Sequence, residues 1–132
     1  MKWPSRASAL ALVAGLAVLL GSCHQPRESS PKITIETEIA PQPARVGQAT
    51  ITFRLTDETG KPVTKARVAM EGNMSHPGMS PELGEAREIE PGRYQGQLML
   101  SMAGDWVVLL HLTLSNGLRL ERQFEIKGVR SG

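Results

Sequence analysis

The sequence predicts an all-β fold. Apolar and polar residues alternate with a period of two over most of the chain after residue 31, as they do in strands with one buried face. Turn signals that contain Gly, Pro or Asn separate the alternating segments. Many short strands with regular turns favour two packed antiparallel layers. We therefore expect an immunoglobulin-like β-sandwich of about seven strands, without the cysteine pair of true immunoglobulin domains.

The first half of this region contains three alternating segments. Each places its apolar side chains on one face, and the turn at 57–62 carries both Gly and Pro. Proline presets φ and glycine accepts positive φ, so this composition ends one strand and allows the next to begin. The predicted strands and their inward residues are 32–40 (Ile33, Ile35, Ile39), 49–56 (Ile51, Phe53, Leu55) and 63–70 (Ala66, Val68, Met70).

The second half predicts the remaining strands. A short segment at 86–90 is the seventh candidate, and it ends at the tight turn Pro91-Gly92. The pair Ala103-Gly104 interrupts the next alternation, and Asn116-Gly117 is a strong hairpin signal. The inward residues of these strands are Tyr94, Leu98 and Leu100, then Trp106, Val108, Leu110, Leu112 and Leu114, then Leu118, Leu120, Phe124 and Ile126. The predicted core is centred on Phe53, Val68, Leu98, Trp106, Leu110 and Phe124.

The N-terminus predicts export and lipid anchoring. Lys2 and Arg6 precede an apolar run of about 14 residues, which is shorter than the roughly 20 that cross a bilayer and typical of a secretory signal. The run ends at Leu20-Gly21-Ser22-Cys23, which resembles the bacterial lipobox whose cysteine is lipidated. The alternative is an ordinary signal peptide with an incidental cysteine. On the lipobox interpretation, residues 1–22 are a lipoprotein signal peptide and Cys23 is the first mature residue.

The mature chain is then one domain on a short tether. Residues 23–31 are polar and contain two prolines, which suits a tether, and 32–128 form the β-sandwich domain. Cys23 is the single cysteine, so the folded part has neither a thiol nor a disulfide and must rely on its core. We expect the protein in the cell envelope, facing the periplasm or extracytoplasmic space. His24 at the second mature position also allows the outer membrane.

Charge and motifs exclude several function classes. Without Lys2 and Arg6, 13 of the 15 basic residues remain against 13 acidic ones. No basic run exceeds two residues, so a nucleic-acid partner is not expected. The sequence shows no nucleophile elbow, HExxH motif or phosphate loop. We therefore predict a protein that is not an enzyme.

The segment "MEGNMSHPGMSP" at 70–81 suggests a metal site. It reads as a loop, because Gly and Pro interrupt any helix or strand pattern. Thioether and imidazole groups are soft ligands that suit Cu(I). The predicted ligands are Met74, His76 and Met79, with Met102 as a possible fourth from a turn that could lie near this loop. The alternative is that these methionines pack over the end of the sandwich. His111, on the outward side of its strand, is a weaker candidate ligand.

Two longer stretches resemble a known family. The segments "GKPVTKARVAMEGNMSHPGMSP" and "GRYQGQLMLSMAGDWVVLLHL" resemble the YtkA-like domain, which is related to FixH-like proteins. The resemblance covers roughly 47–126 and implies an extracytoplasmic β-sandwich often encoded near genes of metal or copper handling. FixH-like proteins carry a transmembrane anchor where this chain has a lipobox, so a role in oxidase assembly does not carry over. The shared motifs are Gly60 to Val63, Met74 to Met79, Gly92-Arg93-Tyr94 and Met102 to Trp106.

The sequence thus leads to two functional hypotheses. The first is a lipid-anchored YtkA-like domain that binds or passes copper as Cu(I) in the cell envelope. The second is a non-metal interaction module of an envelope efflux or oxidase-assembly complex, in which the methionines form a contact surface. Both hypotheses share the membrane as a partner through the lipid anchor.

Overall fold

The computed structural model describes residues 30–76 and 78–132. The predicted signal peptide, Cys23 and most of the tether lie outside these residues. Seven β-strands make up the regular structure of the described part. Within it, no helix is long and apolar enough to span a membrane. The strands are β1 (Thr34–Ala40), β2 (Gly47–Thr56), β3 (Arg67–Met74), β4 (Glu82–Glu90), β5 (Arg93–Leu100), β6 (Gly104–Thr113) and β7 (Arg119–Val129).

Two of the predicted strand boundaries were wrong. The third strand spans Arg67–Met74 rather than 63–70, so the first part of the predicted methionine loop is strand. Residues 63–66 instead bridge to the rest of the domain through hydrogen bonds to Tyr94 and Glu88. The seventh candidate at 86–90 is the end of a longer strand, β4. β3 pairs with β6 along its whole length and therefore stays extended as far as Met74. This pairing outweighs the low strand propensity of Gly72.

The strands form one curled antiparallel sheet in the order β1-β2-β5-β4-β3-β6-β7. This is the order of an immunoglobulin-like sandwich, with β1, β2, β5 and β4 in one layer and β3, β6 and β7 in the other. The first part of β4 pairs with β3 and its later part pairs with β5, so β4 joins the two layers. At the opposite side of the sandwich, backbone hydrogen bonds of 2.8 and 3.0 Å connect Val46 and Ala44 to Arg130.

The core lies between the two layers and confirms most of the predicted inward residues. Phe53 on β2 and Phe124 on β7 meet edge to face, with ring centroids 5.9 Å apart. Phe124 is half-buried rather than buried, because β7 is an edge strand of the sheet. Leu118, predicted to face inward, is exposed and precedes β7. The five predicted core residues that are fully buried are Phe53, Val68, Leu98, Trp106 and Leu110.

The end of the domain that carries the 57–66 connection is held by Tyr94. Its hydroxyl donates a hydrogen bond to the carbonyl oxygen of Val63 at 2.8 Å and accepts one from the backbone N–H of Ala66 at 3.0 Å. Glu88 adds a second tie, accepting hydrogen bonds from the backbone N–H groups of Lys65 and Gly92 at 3.2 and 3.1 Å. These contacts tie the 63–66 segment to β4 and β5 at this end of the sandwich.

Candidate functional site

Strand register places the methionine loop and the β5–β6 turn at the same end of the sandwich. Met74, the last residue of β3, pairs with Trp106 near the start of β6. The β3–β4 loop (75–81) therefore leaves the sheet beside the turn at 101–103. The β1–β2 connection (41–46) and the end of β7 lie at this end too, because Gly47 pairs with Leu100 and Gly104 with Val129. We call this the methionine end.

Met74 connects the loop to the fold. Its position is inward on β3, and its side chain is half-buried and packs against the core. A Cβ atom added at Gly104 would lie 3.1 Å from the Met74 methyl carbon. Gly104 also has a φ of 126°, which disfavours any residue with a side chain. Glycine at 104 therefore leaves room for the Met74 thioether beside the β5–β6 turn.

Met79, His76 and Met102 are all exposed at this end. Met79 is 42% exposed and Met102 is 45% exposed, and His76 is exposed as well. Packing in the core does not account for these exposed side chains. Met70, four residues before Met74 on the inward side of β3, is by contrast fully buried. The structure thus separates Met70, which fills the core, from Met79 and Met102, which are exposed.

The backbone of the β5–β6 turn is fixed by Trp106. Its indole nitrogen donates a hydrogen bond to the carbonyl oxygen of Met102 at 3.0 Å. Sequence reasoning placed Trp106 only in the core and missed this second role. An indole N–H that is buried needs an acceptor, and a Trp four residues after a turn methionine is the signal that could have indicated it.

The candidate donors at the methionine end are the thioethers of Met74, Met79 and Met102 and the imidazole of His76, while Met99 lies on the outward side of β5. In the described ranges no three His, Cys, Asp or Glu side chains are grouped so that they could hold a metal ion. The residues that are present at this end fit a soft, nearly neutral site, because thioether and imidazole bind Cu(I) without a charged ligand. A thioether also needs no deprotonation before it binds.

His111 does not belong to this end. It lies seven residues after Gly104 along β6, which corresponds to roughly 23 Å of extended strand. Its two ring nitrogens face two carboxylates instead, with Nε2 3.3 Å from Glu71 and Nδ1 3.3 Å from Glu121. The structure therefore separates His111 from the predicted copper ligands.

Comparison with known proteins gives a family. No match is found among curated proteins. Among solved structures, the soluble domain of PmoD from Methylocystis sp. ATCC 49242 is 14% identical, covers 79% of this chain and 94% of its own, and has a TM-score of 0.48. Murine CRIg is 12% identical, covers 76% of this chain and 98% of its own, and has a TM-score of 0.44. The family model described as YtkA-like matches residues 29–111, so the chain belongs to the YtkA-like family.

Proposed function

We propose that this protein is a lipid-anchored YtkA-like domain that binds or passes Cu(I) in the cell envelope. The observation that carries the proposal is the solvent exposure of Met79, His76 and Met102 at the end where Met74 also lies. An accessible thioether is a soft ligand that binds Cu(I) without losing a proton.

The chemistry of the donors favours a monovalent soft ion. A soft thioether gains affinity from Cu(I) and little from Zn(II), which prefers thiolate, imidazole and carboxylate. We assign Met74, His76 and Met79 as the ligands, with Met102 as the fourth. Outside the cytoplasm thiols are lost to oxidation, so a chain without a free thiol in its folded domain would need thioethers for this task.

We also propose that the domain transports or buffers the ion rather than transforming a substrate. Met74 ends β3, whereas His76, Met79 and Met102 lie on a loop and a turn, and donors on loops suit capture and release of an ion. The lipid on Cys23 would hold this domain at the membrane surface of the periplasm or extracytoplasmic space, where copper is exchanged between envelope proteins.

The decisive experiment is competition for Cu(I). Residues 30–132 contain all seven strands and the core, so this soluble domain can be loaded with Cu(I) under anaerobic conditions and titrated with chromophoric chelators of increasing strength. We expect one Cu(I) to be retained against a weak chelator. A variant that carries Met74→Leu, His76→Ala and Met79→Leu together should release it.

The second candidate is the non-metal interaction module of an envelope complex. It is favoured by a different observation, the large exposed apolar side chain of Leu83 on the outside of β4. If the wild-type domain loses Cu(I) to the weak chelator and the triple variant behaves identically, this second function replaces the first.

A further inference from the structure

We propose that the outside of β3, β4 and β6 is a docking surface for a partner protein that presents a basic side chain next to an apolar one. The surface, which we call the outer face, consists of Ala69, Glu71, Leu83, Glu85, Leu109 and His111. It lies on the outward, solvent-facing side of these strands rather than at the methionine end. The proposal does not depend on copper binding.

Strand register assembles the outer face from two adjacent rows. In one row Glu85 on β4, Ala69 on β3 and His111 on β6 are direct neighbours. In the next row Leu83, Glu71 and Leu109 are neighbours in the same order. Directly opposed side chains in such pairs are about 5 Å apart, so the six side chains form one continuous patch.

The patch has an apolar centre that the described chain does not cover. Leu83 is 74% exposed, the largest value among the large hydrophobic residues of the described part. Leu109 is half-exposed in the same row. Ala69 has only a methyl group between Glu85 and His111, and this creates a depression of about 280 Å³ bordered by Leu83, Glu71 and Glu85. An exposed leucine beside a concave site is typical of a contact surface.

The rim of the depression is negatively charged and partly fixed in position. Glu71 is held by Asn73 Nδ2 at 3.2 Å and by His111 Nε2 at 3.3 Å. Glu121 on β7 contacts the other nitrogen of His111 at 3.3 Å. Within the described residues, Glu85 takes part in no ion pair. Two carboxylates, Glu71 and Glu121, contact the imidazole of His111, and Glu85 lies on the other side of Ala69, so three carboxylates at the rim outnumber the one imidazole.

The charged groups around the rim determine the occupant. Arg87 lies two residues after Glu85 on the same outward side of β4, and Arg67 and Arg119 lie in the same row, where both pair with Thr113. These three arginines border the negative rim on one side. A lysine or arginine of a partner can lay its aliphatic stem on Leu83 and Ala69 and direct its charge to Glu85. An acidic side chain would face the carboxylates of this rim and bind there less well than a basic one.

Binding can be tested on the soluble domain (residues 30–132) with two probes, a short peptide of alternating lysine and leucine and a matched peptide of alternating glutamate and leucine. We expect the lysine peptide to shift the amide resonances of Ala69, Glu71, Leu83 and Leu109, and the glutamate peptide to leave them in place. Added salt should weaken the interaction.

Two exposed substitutions test the contacts without risk to the fold. Glu85→Gln should weaken binding of the lysine peptide about threefold, and Leu83→Ser about fivefold. The matched control is Glu36→Gln, which removes an exposed carboxylate that contacts Arg54 at 3.7 Å in the other layer and should leave binding unchanged.

Three results would overturn the proposal. The lysine peptide could shift resonances evenly over the whole surface, or Glu85→Gln and Glu36→Gln could have the same effect. Alternatively, the outer-face resonances could shift when the protein alone is diluted, which would assign the surface to a second copy of this chain. None of these outcomes concerns the methionine end, so they are distinguishable from a failure of copper binding.

Discussion

The indole nitrogen of Trp106 donates a hydrogen bond to the carbonyl oxygen of Met102 at 3.0 Å. One residue of the core thereby fixes the backbone of the turn that carries an exposed methionine. The indole ring itself is 2% exposed and lies against Gly72 on β3, where an added Cβ would be 3.4 Å from ring carbon Cε3. Stability and the placement of Met102 therefore depend on the same side chain.

Substitution of Trp106 should show what its hydrogen bond and its packing contribute. Trp106→Phe keeps a ring in the core but removes the donor to the Met102 carbonyl and part of the buried indole, and we expect a loss of about 1–3 kcal/mol in the free energy of unfolding. Trp106→Ala also creates a cavity and should cost about 3–5 kcal/mol. Urea denaturation followed by far-UV circular dichroism measures both values. Equal stability of Trp106→Phe and wild type would show that the hydrogen bond contributes nothing.

The free energy of unfolding should decrease at alkaline pH because of Tyr94. Burial raises the pKa of the Tyr94 hydroxyl above its ordinary value. The unfolded chain then releases this proton at lower pH than the folded domain does, so the contribution of Tyr94 is complete below the ordinary pKa of tyrosine and is lost as pH rises through the folded-state pKa.

Tyr94→Phe is the matched variant for this prediction. It removes both hydrogen bonds to the 63–66 segment and should cost about 1–3 kcal/mol at neutral pH. Its stability should also change less than that of the wild type between pH values below and above the tyrosine pKa. Parallel urea titrations provide the measurement, and an identical alkaline decline in both proteins would contradict the assignment.

The free energy of unfolding should decrease at acid pH because of Glu88 and Asp57. The backbone N–H of Gly92 lowers the pKa of Glu88, and the hydroxyl of Thr59 lowers the pKa of Asp57. In both cases the unfolded chain takes up the proton first. Their stabilising effect is therefore complete above the ordinary carboxyl pKa and disappears as pH falls through the folded-state value.

Glu88→Gln should flatten the acid limb of the stability curve. The control is Glu58→Gln, which alters an exposed carboxylate in the neighbouring turn that accepts none of these hydrogen bonds. Thermal unfolding between neutral pH and acid pH distinguishes the two variants. If Glu58→Gln flattens the curve as much as Glu88→Gln does, the loss at low pH comes from general charge rather than from this contact.

The proposed copper ligands should rank by donor strength. If imidazole is the strongest donor, His76→Ala should weaken Cu(I) binding most, and Met74→Leu and Met79→Leu should each weaken it less. Leucine keeps the volume of methionine, so these substitutions should change stability by less than about 1.5 kcal/mol. Cu(I) should be preferred over Zn(II). Chelator competition measures affinity, and urea denaturation measures stability.

Two residues outside the proposed ligand set control for the side-chain types. His111→Ala removes a histidine that is occupied by Glu71 and Glu121. Met99→Leu removes an exposed methionine on β5. Both should retain Cu(I) like the wild type. If the loop variants retain Cu(I) as well as these controls do, the methionines do not coordinate it.

The N-terminal prediction concerns Cys23. If Cys23 is lipidated, it is the first residue of the mature protein, and Cys23→Ala should release the protein from the membrane or leave it unprocessed. Mass spectrometry of the membrane fraction should find a diacylglyceryl or triacyl group on Cys23. An unmodified N-terminus downstream of Cys23 would refute lipid anchoring while leaving the copper prediction intact.

Much of the fold could be predicted from the sequence, because period-two alternation is local. Ile51, Phe53 and Leu55 face inward on β2 as the pattern predicts, and the turns at Pro91-Gly92 and Asn116-Gly117 end strands where expected. The family motifs also lie within the part matched by the YtkA-like model. The prediction failed at 63–74, where the position of β3 depends on pairing with β6 and on the hydrogen bonds that join residues 63–66 to Tyr94 and Glu88.

The sequence by itself determined the all-β class, the inward face of most strands and the residue types that suit Cu(I). Only the tertiary structure decided which methionine side chains are exposed to solvent and which are buried. Met70 is buried, Met74 is half-buried beside Gly104, and Met79 and Met102 are exposed, although all four have the same side chain. Tertiary structure also placed Glu71, His111 and Glu121 together from three strands. The physical reason is that local alternation sets the direction of a side chain, whereas its neighbours and exposure depend on how distant strands pair.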